Sequence, residues 1–157
     1  MKNIFIITIL SLFFCNVGFA ETITGGPNTT DEAIEQFFKG RKLDKIEGIW
    51  HEDVEGAKYA IVKGNDEIYE IWTVEHKISI FSGTKDTNMY LKKTSEDKDF
   101  SFSTTVYNPA DINEQANGHG RVILLNDNVI QQYIFSGCYS EGRCWKTIES
   151  TLKRIWP

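Results

Sequence analysis

The residues of this chain that could do chemistry are few and scattered. His51-Glu52-Asp53 sets an imidazole beside two carboxylates, the ingredients of an acid/base pair or a metal site if the fold brought a second histidine close. His76 and His119 lie far along the chain, and none of the three histidines has the His-Glu-x-x-His spacing that puts two ligands on one helical face. The triplet therefore reads as solvated charge at a strand end. No Gly-x-Ser-x-Gly elbow is present. Asn117-Gly118-His119-Gly120 reads as a flexible loop rather than a phosphate cradle, because no helix follows it. The expectation is a non-catalytic protein with no metal and no cofactor.

The cysteines speak to compartment. Met1-Lys2-Asn3 precedes an apolar run from Ile4 to Phe14, and Val17-Gly18-Phe19-Ala20 supplies small residues at a cleavage position. Residues 1–20 are thus expected to be a signal peptide and the protein to be exported, periplasmic or secreted. Phe14 occupies the place where a lipid-attachment signal at Cys15 wants a small residue. Removing residues 1–20 from the 157 leaves 137, and losing Lys2 moves the formal charge from −5 to −6. Cys138 and Cys144 then remain as an even pair in an oxidising compartment, where a disulfide is expected to staple a hairpin across Tyr139-Ser140-Glu141-Gly142-Arg143. The acidic balance argues against a nucleic-acid partner. No apolar run has the length of a membrane span, so no stable membrane insertion is expected.

The elements that would position these residues are nearly all strands. Residues 21–29 form a glycine-rich linker, after which Thr30 or Asp31 can cap a short helix carrying Ile34, Phe37 and Phe38 at helical spacing and ending at Gly40. From Ile46 the period falls to two. Strands are expected over 46–51, 58–63, 68–74, 78–81, 88–93, 100–107, 121–125, 129–135 and 145–155, separated by polar turns such as Gly64-Asn65-Asp66 and Asn126-Asp127-Asn128. Eight or nine strands in sequence order without crossover helices predict an all-β fold, an antiparallel up-and-down barrel with a short N-terminal helix, over residues 30–157. On the last strand Ile148, Ser150, Leu152 and Arg154 share the inward face, and Phe100, Phe102, Thr104 and Val106 form another such row.

Leu43-Asp44-Lys45-Ile46-Glu47-Gly48-Ile49-Trp50, with Arg154 near the end of the last strand, resembles the lipocalin or wider calycin pattern. In that family a Gly-x-Trp opens the first strand and a late arginine packs across the tryptophan where the barrel closes. The resemblance implies that Trp50 and Arg154 are structural partners. The family's second motif, Thr-Asp-Tyr, is missing; Asn126-Asp127-Asn128 supplies only the aspartate. What the resemblance implies about function is a small hydrophobic or amphipathic ligand held in the barrel, with Tyr59, Trp72, Phe102, Thr104 and Leu152 as candidate ligand-binding residues. The alternative is a protein-binding barrel, such as an inhibitor or accessory domain of an exported hydrolase.

Overall fold

Alternation of apolar and polar side chains from Gly48 onward produces strands that close on themselves. The computed structural model describes residues 22–53, 56–65, 67–86, 90–96, 98–108, 111–139 and 142–157. The expected signal peptide, Cys15, the turn residue Asp66, residues 88–89 of an expected strand and Ser140 and Glu141 of the expected hairpin lie outside the described residues. The strands are β1 (Thr22–Ile23), β2 (Gly48–Glu52), β3 (Ala57–Lys63), β4 (Ile68–Glu75), β5 (Lys85–Asp86), β6 (Tyr90–Lys93), β7 (Asp99–Asn108), β8 (Asp111–Asn126), β9 (Val129–Ile134), β10 (Gly137–Cys138), β11 (Cys144–Trp145) and β12 (Ile148–Trp156). Eight of them form a closed antiparallel barrel in the order β12-β2-β3-β4-β6-β7-β8-β9. Each barrel strand pairs with its sequence neighbours in the barrel, and β12 closes the ring on β2 with Arg154 opposite Trp50. The remaining strands make two short pairs, β1 with β5 and β10 with β11.

Period-two alternation divides the apolar residues into two cores. The inward set holds Ile46, Trp50, Ile61, Tyr69, Ile71, Leu91, Phe100, Phe102, Val122, Leu124, Ile130 and Leu152. The outer set is a smaller cluster of Ala33, Phe38, Ile49, Ala60, Val62 and Val74, with Phe37, Trp72 and Trp156 packed against it. It exists because α1 (Thr30–Ala33), continued by a π-helical turn over Ile34–Phe38, lies on the outer wall. Phe37 meets the Trp72 ring at 5.4 Å and Phe38 meets Trp156 at 5.0 Å between centroids. The rest of the outer face mixes charged residues such as Lys58, Lys92, Arg121 and Lys153 with exposed Tyr90, Leu125 and Ile155. Among the described residues no helix is long and apolar enough to cross a membrane.

Several expectations need correction. Residues 78–81 are not a strand: Ser79–Phe81 is a 3-10 turn. Side chains capture the backbone there, since the His76 amide donates to Ser82 Oγ and the Ile78 amide to His76 Nδ1, each at 3.0 Å. Asn117-Gly118-His119-Gly120 is not a loop but the middle of β8. A Cβ at Gly120 would stand 2.2 Å from the Tyr133 carbonyl oxygen and 2.3 Å from the Phe102 ring, so glycine is there to let an inward phenylalanine lie on the wall. The helix is capped by Thr29, whose side chain accepts from the Glu32 amide at 3.2 Å, not by Thr30 or Asp31. The glycine-rich segment before it is pinned: Gly26 and Pro27 are buried, and the Gly26 amide donates to the Gly83 carbonyl at 2.9 Å. Finally, the last barrel strand starts at Ile148, because Trp145 belongs to the β10–β11 pair.

Candidate functional site

The two ends of the barrel are built differently. At one end Arg154 reaches over the Trp50 ring, its guanidinium carbon 4.2 Å from the centroid, and donates to three backbone carbonyls, those of Lys45, Glu47 and Asp127. Trp50 donates its ring N–H to the Ile46 carbonyl at 3.0 Å. The guanidinium and the Trp156 carbonyl pass so close to Gly48 that a Cβ there would lie 2.7 and 2.5 Å from them. Gly48 also has φ +142, a backbone conformation that suits glycine. The Gly-x-Trp and arginine pattern thus has a local physical cause, and the pairing of Trp50 with Arg154 stands as expected. Burial lowers the Arg154 pKa from its ordinary value, and the carbonyl oxygens around it replace part of the water it has lost.

The same end is bound together by two acids, Glu47 buried and Asp44 partly exposed. Glu47 is 1% exposed; its carboxylate accepts from the Asp44 and Lys63 amides at 2.9 and 2.8 Å and pairs with Arg41 at 2.9 Å. Asp44 accepts from Lys63 and from the Tyr69 hydroxyl, at 2.7 and 2.9 Å. The Lys63 hydrogen bond holds the Asp44 carboxyl below its usual range, while burial pushes the Tyr69 phenol up. A pocket of about 490 Å³ between these groups, bordered by Lys45, Lys93 and Lys98, carries charges of both signs.

The opposite end holds a cavity of about 260 Å³. Ile61, Ile71, Leu91, Val122, Ile130, Ile134 and Leu152 make its apolar wall, and Glu52, Tyr59, Gln132, Ile148, Glu149 and Ser150 complete the lining. Strand parity explains the set. Trp50 and Glu52 are two apart on β2, so both point inward, as do Tyr59 and Ile61 on β3 and Ile130, Gln132 and Ile134 on β9. Glu52 is only 6% exposed.

Of the residues singled out from sequence, Tyr59 and Leu152 line this cavity. Phe102 and Thr104 are buried, at 4% and 8% exposure, but fill the wall opposite Gly118 and Gly120 instead of lining the space. Trp72 does not face the interior: it stands on the outer face of β4 beneath Phe37, with Lys85 Nζ 5.3 Å from its ring. Glu52 is the residue that sequence reading missed. The sequence places it among three solvated strand-end charges, whereas the parity that puts Trp50 inside puts Glu52 inside as well. His51 and Asp53 do lie at the surface, 3.1 Å apart, with Lys153 on the other Asp53 oxygen at 2.5 Å. The three histidines stay separate. Among the described residues no group of three His, Cys, Asp or Glu side chains could hold a metal ion.

Between β9 and β12, beside the cavity residues Ile134 and Ile148, the chain makes the β10–β11 hairpin. Cys138 and Cys144 are disulfide-bonded across it, with Cα atoms 3.9 Å apart. Trp145 covers Gly137, where a Cβ would come within 2.5 Å of the indole. Its ring N–H donates to the Phe135 carbonyl at 2.9 Å, and its ring meets Tyr139 at 5.0 Å between centroids. The hairpin is therefore a braced flap at the cavity end. No protein-family model matches the chain, and no curated protein or solved structure does so either.

Proposed function

We propose that this chain is an exported, non-catalytic binding protein of lipocalin kind, holding a small apolar or amphipathic molecule in one end of its barrel. The observation that carries the reading is the 260 Å³ cavity with its aliphatic wall. A cavity of about 150 Å³ accepts benzene, and drug-sized sites begin near 300 Å³. The volume here therefore fits one ring or a short chain and excludes a long-chain lipid. The disulfide supports export, since such bonds persist in oxidising compartments.

The test is thermal unfolding with n-hexanol or toluene as probe. A ligand at one hundred times its Kd stabilises by about 2.7 kcal/mol, so Tm should rise with probe concentration. Val122→Phe, which fills the cavity, should abolish the rise. No shift with either probe would remove the cargo reading. A second reading, a protein-binding barrel, is favoured by the turn after β4, where Ile78 and Ile80 are 47% and 72% exposed. A native mass spectrum of protein from its own host separates the two, showing a retained small molecule or a bound chain.

A further inference from the structure

The closing end of the barrel holds a recess larger than the aliphatic cavity. Its volume of about 490 Å³ falls in the range of small-molecule sites, roughly 300–1,000 Å³. Buried Ile46, Phe100 and Leu124 form the floor, with the Tyr69 ring edge-on to Phe100 at 5.6 Å between centroids. Lys45, Lys63, Lys93 and Lys98 surround it, against the two acids Asp44 and Glu67. These lysines come from separate places, the segment before β2, the ends of β3 and β6, and the turn into β7. In a chain of net charge −5 the rim therefore carries a local excess of positive charge.

Part of this charge is already used. Asp44 is engaged by Lys63 Nζ at 2.7 Å and by the Tyr69 hydroxyl at 2.9 Å, and Lys93 has an interaction of its own. Lys45 and Lys98 differ: both are exposed, and neither makes an ion pair among the described residues. Lysine stems give a recess apolar walls while their heads stay in water, so the complement of this pocket is a molecule with a flat apolar body and a negative head. We propose that the pocket is a second binding site, separate from the cavity at the other end, and that it takes a small aromatic anion: the ring over the floor and the lysine stems, the carboxylate at the Lys45 and Lys98 rim. A cation of the same shape meets four ammonium groups there and is disfavoured.

Two probes of one shape decide it, 2-naphthoate and 2-naphthalenemethanol, titrated into the oxidised mature protein at pH 7 and followed by methyl NMR, with n-hexanol present throughout to occupy the other cavity. The naphthoate should shift the Ile46 and Leu124 methyls and bind about fivefold or more tighter than the alcohol, the gain that two exposed ion pairs supply. Salt at roughly 0.5 M should weaken it, because exposed lysines are screened. The double variant Lys45→Gln, Lys98→Gln should bring naphthoate down to the affinity of the alcohol, whereas Lys77→Gln with Lys92→Gln, which removes the same charge elsewhere, should leave it unchanged. Because both pairs are exposed, folding is not at stake. Shifts confined to the Ile134 and Leu152 methyls, equal binding of the two probes, no binding, or an equal loss in both double variants overturns the site. The cargo reading is scored separately, by whether hexanol itself shifts the Ile134 and Leu152 methyls.

Discussion

Replacing Arg154 by alanine tests the closing end of the barrel most directly. The guanidinium sits 4.2 Å from the Trp50 ring, and a partly desolvated contact of this kind is worth about 1 to 2 kcal/mol. The hydrogen bond to the Glu47 carbonyl, 2.7 Å and partly buried, adds about 1.5 kcal/mol as a bond from a charged donor. Those to Lys45 and Asp127 are exposed, so their carbonyls return to water and each contributes about 0.5 kcal/mol or less. Because neighbouring contacts are not additive, the loss should be about 3 kcal/mol. In a domain of this length that corresponds to a Tm fall of about 10 °C.

Urea unfolding followed by far-UV circular dichroism measures the loss, and an unchanged m-value would show that the denatured state is not the source. Arg154→Lys should recover less than half, since one ammonium cannot span three carbonyls and lie flat on an indole. Hexanol binding at the other end should be unaltered in both variants. A loss below about 1 kcal/mol in the alanine variant, or full recovery by lysine, would refute the reasoning that geometry and not charge alone makes this contact stabilising.

The same end gives a second expectation: Gly48→Ala should cost at least as much as Arg154→Ala, because φ +142 and the Trp156 carbonyl both exclude a Cβ; a Tm within 3 °C of the unaltered protein would contradict it. Acid should destabilise through Asp99, whose carboxyl is held below its ordinary 3.8 chiefly by the Arg121 hydrogen bonds. A folded pKa below the unfolded one gives stability that is present above the unfolded value and lost as pH falls from about 4 through the folded value. Asp99→Asn should flatten that part of the stability curve, and an unchanged slope below pH 4 would remove Asp99 as its source. Intact mass with and without reduction should show no alkylatable thiol until Cys138 and Cys144 are reduced; two thiols reacting at once would contradict the staple. Losing this small ring should cost about 2 kcal/mol by loop entropy, read as faster proteolysis at the flap.

Most of the barrel was legible because period-two alternation is a local signal, and the turns between strands are polar. Where local and tertiary causes diverge, sequence reading failed in particular ways. Gly118 and Gly120 look like loop residues, yet they are strand residues whose missing side chains make room for Val106 and Phe102 on β7; nothing local announces a ring arriving from the neighbouring strand. Trp72 looks like pocket lining because it is large and apolar. Its neighbours along β4, Tyr69 and Ile71, take the inward positions, and the helix provides an outer face able to bury an indole. The run from Ile78 to Phe81 has strand-forming residues, but bonds from His76 and Ser82 turn it out of the sheet.

Glu52 was missed for a different reason. Its parity with Trp50 is plain in the sequence, but burying a carboxylate is costly unless something compensates, so a solvated position was the physically cheaper expectation. The structure places Glu52 at the end of the barrel away from Arg154 and Glu47. Closure relies on Gly48, Trp50 and Arg154, whereas the cavity relies on the other ends of the strands that carry Glu52, Tyr59 and Ile130. Alterations at the closing end should therefore move Tm while leaving hexanol affinity alone. A variant at Arg154 that altered ligand preference as much as stability would mean that the two ends are coupled through the barrel wall, and the division of labour argued here would fail.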